Sequence, residues 1–148
     1  MTQDDTTGVH IWLILMKAHQ AMSQHAEHSI EAAGICFSDF GAMEMLLHKG
    51  PLPINAIGEK LQLTSGALTA AVDRLEKKGL LERKFDANDR RVRMIHLTEG
   101  GQVFIQEIFN QHKADMEKAV SGLDKKERIE VIRLLKKMGK EALKHLDS

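Results

Sequence analysis

Residues 63–98 read LTSGALTAAVDRLEKKGLLERKFDANDRRVRMIHLT, and this stretch decides which fold the chain can adopt. Its first half carries apolar residues three and four positions apart, the spacing of one face of an α-helix. Those apolar positions are Leu68, Ala71, Val72 and Leu75. Thr64 or Ser65 can cap the N-terminus by accepting a backbone N–H bond, and Gly79 stands where a left-handed residue would end the helix. The pattern predicts a helix of about four turns with one buried face.

The second half of the stretch changes to β-strand periodicity. Residues 81–85 and 92–97 are short runs compatible with strands, and the second alternates side chains between two faces. Between them, residues 86–91 hold turn-forming residues and two adjacent arginines. A helix followed by a hairpin with a basic tip is the outline of a winged helix-turn-helix. In that fold the helix lies in the DNA major groove and the wing tip reaches the minor groove.

At these residues the chain resembles the MarR family, the multiple-antibiotic-resistance type of bacterial transcriptional regulator. The resemblance rests on DRLEKKGL at 73–80 and on a wing pattern of Asp-x-Arg, five residues and Leu-Thr. Asp89, Arg91, Leu97 and Thr98 fit that wing pattern without a gap. The resemblance covers nearly the whole chain more loosely, and it implies a mainly α fold with a small β-hairpin wing and terminal dimerisation helices.

The resemblance also implies a division of the chain. Residues 1–148 would form a single subunit. Within it, 35–98 would be the winged helix-turn-helix DNA-binding lobe, and 9–33 with 99–146 the helical dimerisation lobe. Each subunit of a homodimer would then offer one reading helix to a near-palindromic operator, about one helical turn apart.

Composition limits the class of protein. At 148 residues, 43% of them hydrophobic, the chain suits one domain or one domain with helical extensions. No uncharged apolar run approaches about 18 residues, so no membrane partner is expected. The N-terminus MTQDDTTG lacks the basic and apolar regions of a signal peptide. The single cysteine cannot form an internal disulfide, which favours a reducing, cytoplasmic location.

Overall neutrality at first argues against nucleic-acid binding, because the formal net charge is zero. The distribution answers that objection, since residues 54–98 carry nine Lys/Arg against six Asp/Glu. Local charge is what attracts phosphate, and a dimer doubles the basic surface. Phosphate neutralisation is expected from Lys60, Arg83, Lys84, Arg90 and Arg93.

Individual residues can be assigned roles at the DNA. Arg91 is the candidate for insertion into the minor groove, and Asp89 is the candidate that orients its guanidinium. An ordinary solvated hairpin would also explain the arginines, but the preceding helix and the Asp89 spacing favour DNA. Arg74 can alternatively pair with Asp73 or Glu76 on its own helix. The residues expected to contact DNA are Thr64, Ser65, Gly66, Thr69, Ala70, Asp73, Arg74, Arg90, Arg91 and Arg93.

The rest of the chain reads as helices and breaks. Residues 1–8 are expected to be a frayed end, and 9–33 a long helix. Ser38 is expected to cap a second helix through His48, with a sharp break at 50–53 and a third helix at 54–61. Thr98 caps a fifth helix whose first turn Gly100 and Gly101 weaken and whose apolar positions include Val103. Asp124 opens a last helix through about Leu146, with capping-box spacing. The apolar face of that helix comprises Ile129, Ile132, Leu135, Leu143 and Leu146.

The resemblance implies a small aromatic effector bound where the terminal dimerisation helices meet the DNA-reading helix at about 65–78. The residues expected to line that pocket are Trp12, Met16, His19, Met43, Leu47, Phe109 and His112. Two other sensors compete with this interpretation. The eight histidines include His25 and His28 at a usable zinc-ligand spacing, but they lack a convincing ligand set, so neither metal nor cofactor is expected. Cys36 could sense oxidant, yet its neighbours Ile35 and Phe37 favour a buried small hydrophobe.

No enzyme motif stands out. There is no phosphate-cradling glycine-rich loop and no nucleophile in a recognisable motif, so the chain is not expected to be an enzyme. The competing hypothesis from another class is a winged-helix module that contacts proteins and not DNA. The basic wing tip and the small-residue helix face disfavour it. The sequence therefore predicts a homodimeric DNA-binding transcriptional regulator, with repression favoured over activation.

Overall fold

A computed structural model describes residues 5–147 of the chain, so part of the predicted frayed end lies outside the described residues. Six α-helices and three strands follow one another within that range. The helices are α1 (Gly8–Ala32), α2 (Phe37–Lys49), α3 (Ile54–Leu61), α4 (Ser65–Lys77), α5 (Glu99–Ala119) and α6 (Lys125–Lys144). The strands are β1 (Leu52–Pro53), β2 (Leu81–Phe85) and β3 (Arg93–Leu97). A short 3-10 turn, His145–Asp147, follows α6, so the last helix ends earlier than predicted.

The strands form one antiparallel sheet in the order β1-β3-β2. β2 and β3 are the predicted wing hairpin, with Arg83 opposite Ile95 in the register. The sequence did not predict β1, which pairs Leu52 with Ile95 and Pro53 with Met94 at the sheet edge. Two residues are too short to show a strand periodicity, and a proline signals a break unless an edge position tolerates its missing N–H.

Helix α4 begins and ends as its sequence predicts. The Thr64 hydroxyl accepts the N–H of Ala67 at 3.1 Å and caps the helix. At the other end Gly79 has a φ of +77°, and Leu80 N–H donates to Leu75 C=O at 2.9 Å. These two features form a Schellman stop, which glycine enters without a Cβ penalty. All four apolar positions of the predicted stripe are buried.

The core lies between the helix-turn-helix and its neighbours. Buried residues of α1, α2, α3, α4, the sheet and α5 form one apolar cluster. Its largest fully buried members are Ile30, Met43, Ile57, Val72, Leu75, Leu81, Ile95 and Ile105. One prediction was wrong, because Val103 on α5 is 58% exposed. The helical spacing alone did not distinguish the face of α5 that packs on the core from the face beside it.

Thr98 and Gly101 join the wing to α5. The Thr98 hydroxyl donates to Gly79 C=O at 2.6 Å and accepts the Gly101 N–H at 2.9 Å, so it caps α5 as predicted. A Cβ at Gly101 would lie 1.9 Å from the Leu80 carbonyl oxygen. Gly101 therefore permits the close approach of α5 to Leu80, just after the end of α4. The sequence indicated only that Gly101 weakens the first turn of α5.

A buried carboxylate links α5 to α1. Asp115 lies within hydrogen-bond distance of His28 Nδ1, at 3.2 Å, and accepts from Gln111 at 3.0 Å. Burial alone would raise the pKa of Asp115, but hydrogen bonds from Gln111, His28 and Ser29 outweigh it, so the pKa lies below its ordinary value. The charged form is thus the one that the fold stabilises.

The described chain separates into two compact units, one reaching Met116 and one starting at Glu117. In the second unit Asp124 and Glu127 form the predicted capping box around the start of α6. None of residues Lys125–Lys144 is buried. Among the residues described, no helix is both long and apolar enough to cross a membrane.

Candidate nucleic-acid interface

The outward face of α4 is small and uncharged at its N-terminal half. Ser65, Gly66, Thr69 and Ala70 are all exposed, on the side opposite the buried stripe. The first residues of a reading helix are those that approach base edges in helix-turn-helix proteins. Because these side chains are short, the backbone of α4 can approach a partner surface closely. The residues predicted to read DNA thus lie together on one accessible face.

At the wing tip, Asp89 holds the guanidinium of Arg91. The carboxylate accepts from Arg91 Nε at 3.1 Å, from Nη2 at 3.2 Å and from the Arg91 backbone N–H at 3.0 Å. These bonds hold the pKa of Asp89 below its ordinary value. The Arg91 side chain is nevertheless 91% exposed. A cation that is fully accessible and already oriented is the arrangement that the Asp-x-Arg spacing predicted.

Two further basic side chains flank the tip. Arg93 stacks its guanidinium 4.3 Å from the centre of the Phe85 ring across the hairpin. Phe85 is exposed, and the stacking covers part of it. Arg90 is also exposed, next to Arg91 in the turn. The wing therefore presents three arginines on one short hairpin.

Arg74, the other arginine expected at DNA, makes an internal contact. Its Nη2 donates to Asp39 Oδ1 at 2.8 Å, and the Asp39 side chain on α2 is only 3% exposed. The hydrogen bond and charge of Asp39 raise the pKa of Arg74. The sequence also offered Asp73 or Glu76 as ion-pair partners of Arg74 on its own helix. In the structure Arg74 pairs instead with Asp39, on another helix.

Arg83 on β2 connects the wing to α4. It donates to Asp73 and to Glu76, each at 2.6 Å, and its side chain is only 19% exposed. Hydrogen bonding to Asp73, with the charge of Glu76, raises its pKa. The sequence predicts that Arg83 neutralises phosphate, whereas in the structure it neutralises two carboxylates of α4. The alternating pattern of β2 placed Arg83 on one face of a strand but gave no signal for its partners.

The prediction that Cys36 is buried was wrong. It is exposed at the N-cap position of α2, with Sγ 3.1 Å from the Ser38 hydroxyl and 3.8 Å from Arg74 Nη2. Ser38 consequently lies inside the first turn and does not cap α2 through its side chain. The N-cap of α2 lies two residues earlier than predicted, at Cys36 in place of Ser38, and Phe37 is half-exposed.

The residues expected to line an effector pocket fall into two groups. Met16 and His19 line an open hollow along α1, and Trp12 on the same helix is 59% exposed. Phe109 and His112 of α5 lie against α2, where the His112 ring is 4.9 Å from that of Phe40. Met43 is fully buried and Leu47 packs on the core. His112 Nδ1 is buried without a hydrogen-bond partner among the described residues.

Metal ligands do not gather elsewhere in the described range. Among residues 5–147, no group of three His, Cys, Asp or Glu side chains could hold an ion. His25 lies half-buried on α1, and His28 is committed to Asp115. The geometry that does stand out is thus the exposed face of α4 together with the arginine-bearing wing.

Comparison with known proteins places this geometry in a family. A sequence model described as the MarR family matches residues 38–92, which run from α2 to the wing tip. The chain is 35% identical over 132 residues to the HTH-type transcriptional regulator MhqR of Bacillus subtilis, covering 89% of this chain and 91% of that protein.

Two solved structures share the fold at lower identity. A cysteine-to-serine mutant of Escherichia coli MarR complexed with operator DNA is 21% identical with a TM-score of 0.78, covering 93% of this chain and 99% of the other. Bordetella bronchiseptica BpsR, whose DNA binding is regulated by 6-hydroxynicotinic acid, is 20% identical with a TM-score of 0.77, covering 94% and 97%.

The family consists of transcriptional regulators, which are not a class of enzyme. The helix-turn-helix, the wing with its Asp-x-Arg tip and the similarity to MhqR along most of both chains agree on one assignment. This chain belongs to the MarR family and is a winged helix-turn-helix, DNA-binding transcriptional regulator.

Proposed function

We propose that the protein acts as a homodimeric repressor that places α4 of each subunit in successive major grooves of a near-palindromic operator. The observation that carries this proposal is the wing tip, where Asp89 orients an Arg91 side chain that is 91% exposed. An oriented cation of this kind fits the narrow, strongly negative minor groove of A·T-rich DNA. The same contacts have no evident use in a protein-contact module.

The homodimer is supported by apolar surface on the terminal helices. Trp12, Leu13 and Ile14 on α1 are exposed, and so are Ile132 and Leu135 on α6. Contiguous exposed apolar residues on a subunit mark sites of protein interaction. We assign that surface to a second copy, because two readers are needed to occupy two half-sites. A regulator of operator DNA works where bacterial DNA is, in the cytoplasm, and we assign it no enzymatic activity.

A salt titration tests the DNA proposal against the protein-contact alternative. Lys60 and Arg90 are exposed and available to phosphates, Lys84 is exposed but pairs with Glu82, and Arg83 is paired with carboxylates of α4. A dimer that neutralises six to ten phosphates should lose about 10³–10⁵ in affinity between 50 and 200 mM salt. Fragments of its own promoter should show this steep slope in a fluorescence-anisotropy titration. No binding to genomic fragments, even at low salt, would refute the regulator proposal.

We further propose that a small aromatic compound releases the repressor, as 6-hydroxynicotinic acid regulates the DNA binding of BpsR. Phe109 and His112 support this proposal, because an aromatic ring with a buried, unpaired imidazole nitrogen nearby suits a flat polar ligand. The effector must bind the DNA-free state more tightly, since equal affinity for both states shifts nothing.

The effector test compares three classes of compound in the same release assay. A panel of aromatic acids, zinc and an organic hydroperoxide would each be added to the preformed operator complex. We expect release by an aromatic acid and a weaker response in His112→Ala. Release by zinc lost in His112→Ala, or release by peroxide lost in Cys36→Ser, would replace the aromatic effector with a metal or thiol sensor.

A further inference from the structure

The two arginines nearest the reading face of α4 are occupied inside the protein. Arg74 donates to a carboxylate, Asp39, that is almost completely buried on α2. Turning Arg74 toward a base would leave that carboxylate buried without its guanidinium partner. The Arg74 side chain is itself 48% exposed, but its partner is not, and leaving a buried carboxylate without its cation is strongly destabilising. Arg74 therefore has a strong reason to stay on Asp39 when DNA arrives.

The second arginine ties the other side of α4 to the wing. Arg83 on β2 donates to Asp73 and to Glu76, and its backbone N–H donates to Glu76 at 3.2 Å. Three bonds from one residue to two positions of α4 fix the helix against the strand. They also neutralise two carboxylates that would otherwise face phosphate. Asp73 is thereby occupied as well, although it was predicted to contact DNA.

We propose that Arg74 and Arg83 are positioning residues, and that base discrimination by α4 comes from the uncharged side chains of Thr69 and Ala70. This inference rests on the proposed function, namely that α4 enters the major groove. Arg74 holds α4 to α2, and Arg83 holds it to the wing. Arg74 gives an Nη2 bond to Asp39, and Arg83 divides its guanidinium between two carboxylates. We therefore expect neither to turn away and supply the bidentate contact with guanine that arginine usually makes.

The remaining groups define what α4 recognises. The methyl groups of threonine and alanine make apolar contact with the C5-methyl of thymine, and a hydroxyl can bond to any base edge. Thr69 and Ala70 are both exposed on the reading face. Lys77 lies at the C-terminal end of α4, whereas the N-terminal half of a reading helix approaches the bases. The operator half-site is therefore expected to be read through thymine methyl groups and not through a bidentate arginine contact with guanine.

Modified bases test this with the unaltered protein. Uracil replaces thymine without its methyl, and 7-deazaguanine replaces guanine without its N7 acceptor. We expect uracil at one or more positions of each half-site to lower affinity about fourfold, the effect of one buried methyl group. No 7-deazaguanine substitution should change affinity more than twofold. Thr69→Ser, which removes only the γ-methyl, or Ala70→Gly should abolish a uracil effect at its own position.

A double-mutant cycle tests the positioning role of Arg74. If Arg74 acts through Asp39, then Arg74→Gln and Asp39→Asn should weaken operator binding by similar factors, and the double variant should be no weaker than either. The preference at each base pair, measured with singly substituted operators, should be unchanged in Arg74→Gln. Arg133→Gln on α6, which only loses a local pair with Glu130, is the matched control.

The outcomes separate this inference from the function on which it rests. A large 7-deazaguanine effect that disappears in Arg74→Gln would make Arg74 a base reader and overturn the proposal, as would equal affinity for all uracil-substituted operators. If Asp39→Asn unfolds, Arg74→Lys, which retains the charge, gives the same comparison of base preferences. Absence of any DNA binding by the unaltered protein would instead refute the proposed function itself.

Discussion

Helices α4 and α6 are both amphipathic in sequence, but only α4 buries its apolar face within the described chain. The four residues of the α4 apolar stripe are all buried, whereas no residue of α6 is, and Leu143 is 67% exposed. In both helices the periodicity predicts that one face packs against other apolar residues. For α4 those residues belong to the same chain. The α6 face and the first turns of α1 have no such cover among the described residues, which is why we assign them to a second subunit.

The two regions also differ in how their charges pair. On α6 two ion pairs are local, Arg133 with Glu130 and Lys144 with Glu141, three residues apart, and Arg128 pairs with Glu117 of α5. Local helix pairs of this kind contribute little to stability and can be recognised in the sequence. Around α4 the arginines join different elements: Arg74 pairs with Asp39 on α2, and Arg83 on β2 pairs with Asp73 and Glu76 of α4. Ion pairs within the chain therefore hold α4 to α2 and β2, whereas we assign the apolar face of α6 to a second subunit.

The largest expected effect comes from the α6 face. Ile132→Glu combined with Leu135→Glu should prevent dimerisation, because two charges would be buried in an apolar interface. Losing one of two linked half-sites should weaken operator binding about 10²–10⁴-fold. Light scattering would report a mass near 16.6 kDa in place of twice that value. Lys137→Glu, on the polar side by helical spacing, is the control. An unchanged dimer would place the interface elsewhere.

Removing the wing cation should have the next largest effect. Arg91→Ala deletes an exposed side chain whose partner is Asp89 in the same turn, so fold and dimer should remain intact. Losing such an anchor should cost about 1–3 kcal/mol of binding free energy per subunit. Titration against the operator at fixed salt would measure it, with Arg133→Ala as control. Equal affinities would remove the wing from the mechanism.

A third pair of variants tests the contact between the start of α5 and Leu80, which follows the end of α4. Gly101→Ala would place a Cβ against the Leu80 carbonyl, so the backbone must shift, and we expect a loss of about 1–3 kcal/mol in the free energy of unfolding. At Gly100 the nearest atom to an added Cβ is 3.9 Å away, so Gly100→Ala should be neutral or slightly stabilising. Chemical denaturation of both variants would measure this, and similar values would show that the approach of α5 to Leu80 is not tight.

The smallest expected effect is the pH dependence supplied by Asp115. The pKa of Asp115 in the folded protein lies below its ordinary value of about 3.9, so the carboxylate stabilises the fold above that ordinary pKa. The contribution disappears as pH falls through the lowered pKa. Asp115→Asn should therefore reduce stability at pH 7 by about 1 kcal/mol and flatten the loss of stability between pH 5 and pH 3. An unchanged acid profile would assign that pH dependence to other carboxylates.

Much of the reader could be predicted from the sequence because its signals are local. The stripe of α4, the stop at Gly79, the cap at Thr98 and the Asp89–Arg91 pair each depend on residues within a few positions. The structure confirms all four. Helical spacing failed where two faces of one helix were similar, as at Val103, and where a strand had only two residues, as at Leu52.

The sequence by itself determined which helices form, where the wing turns and which side chains the wing tip exposes, because backbone capping and side-chain periodicity act over one or two turns. Only the tertiary structure decided that Arg74 belongs to Asp39, that Arg83 belongs to α4, that Cys36 faces outward and that Gly101 must lack a side chain. Each of these depends on how separate elements pack against one another or on where one of them begins. No local pattern encodes which carboxylate or carbonyl that packing brings within reach.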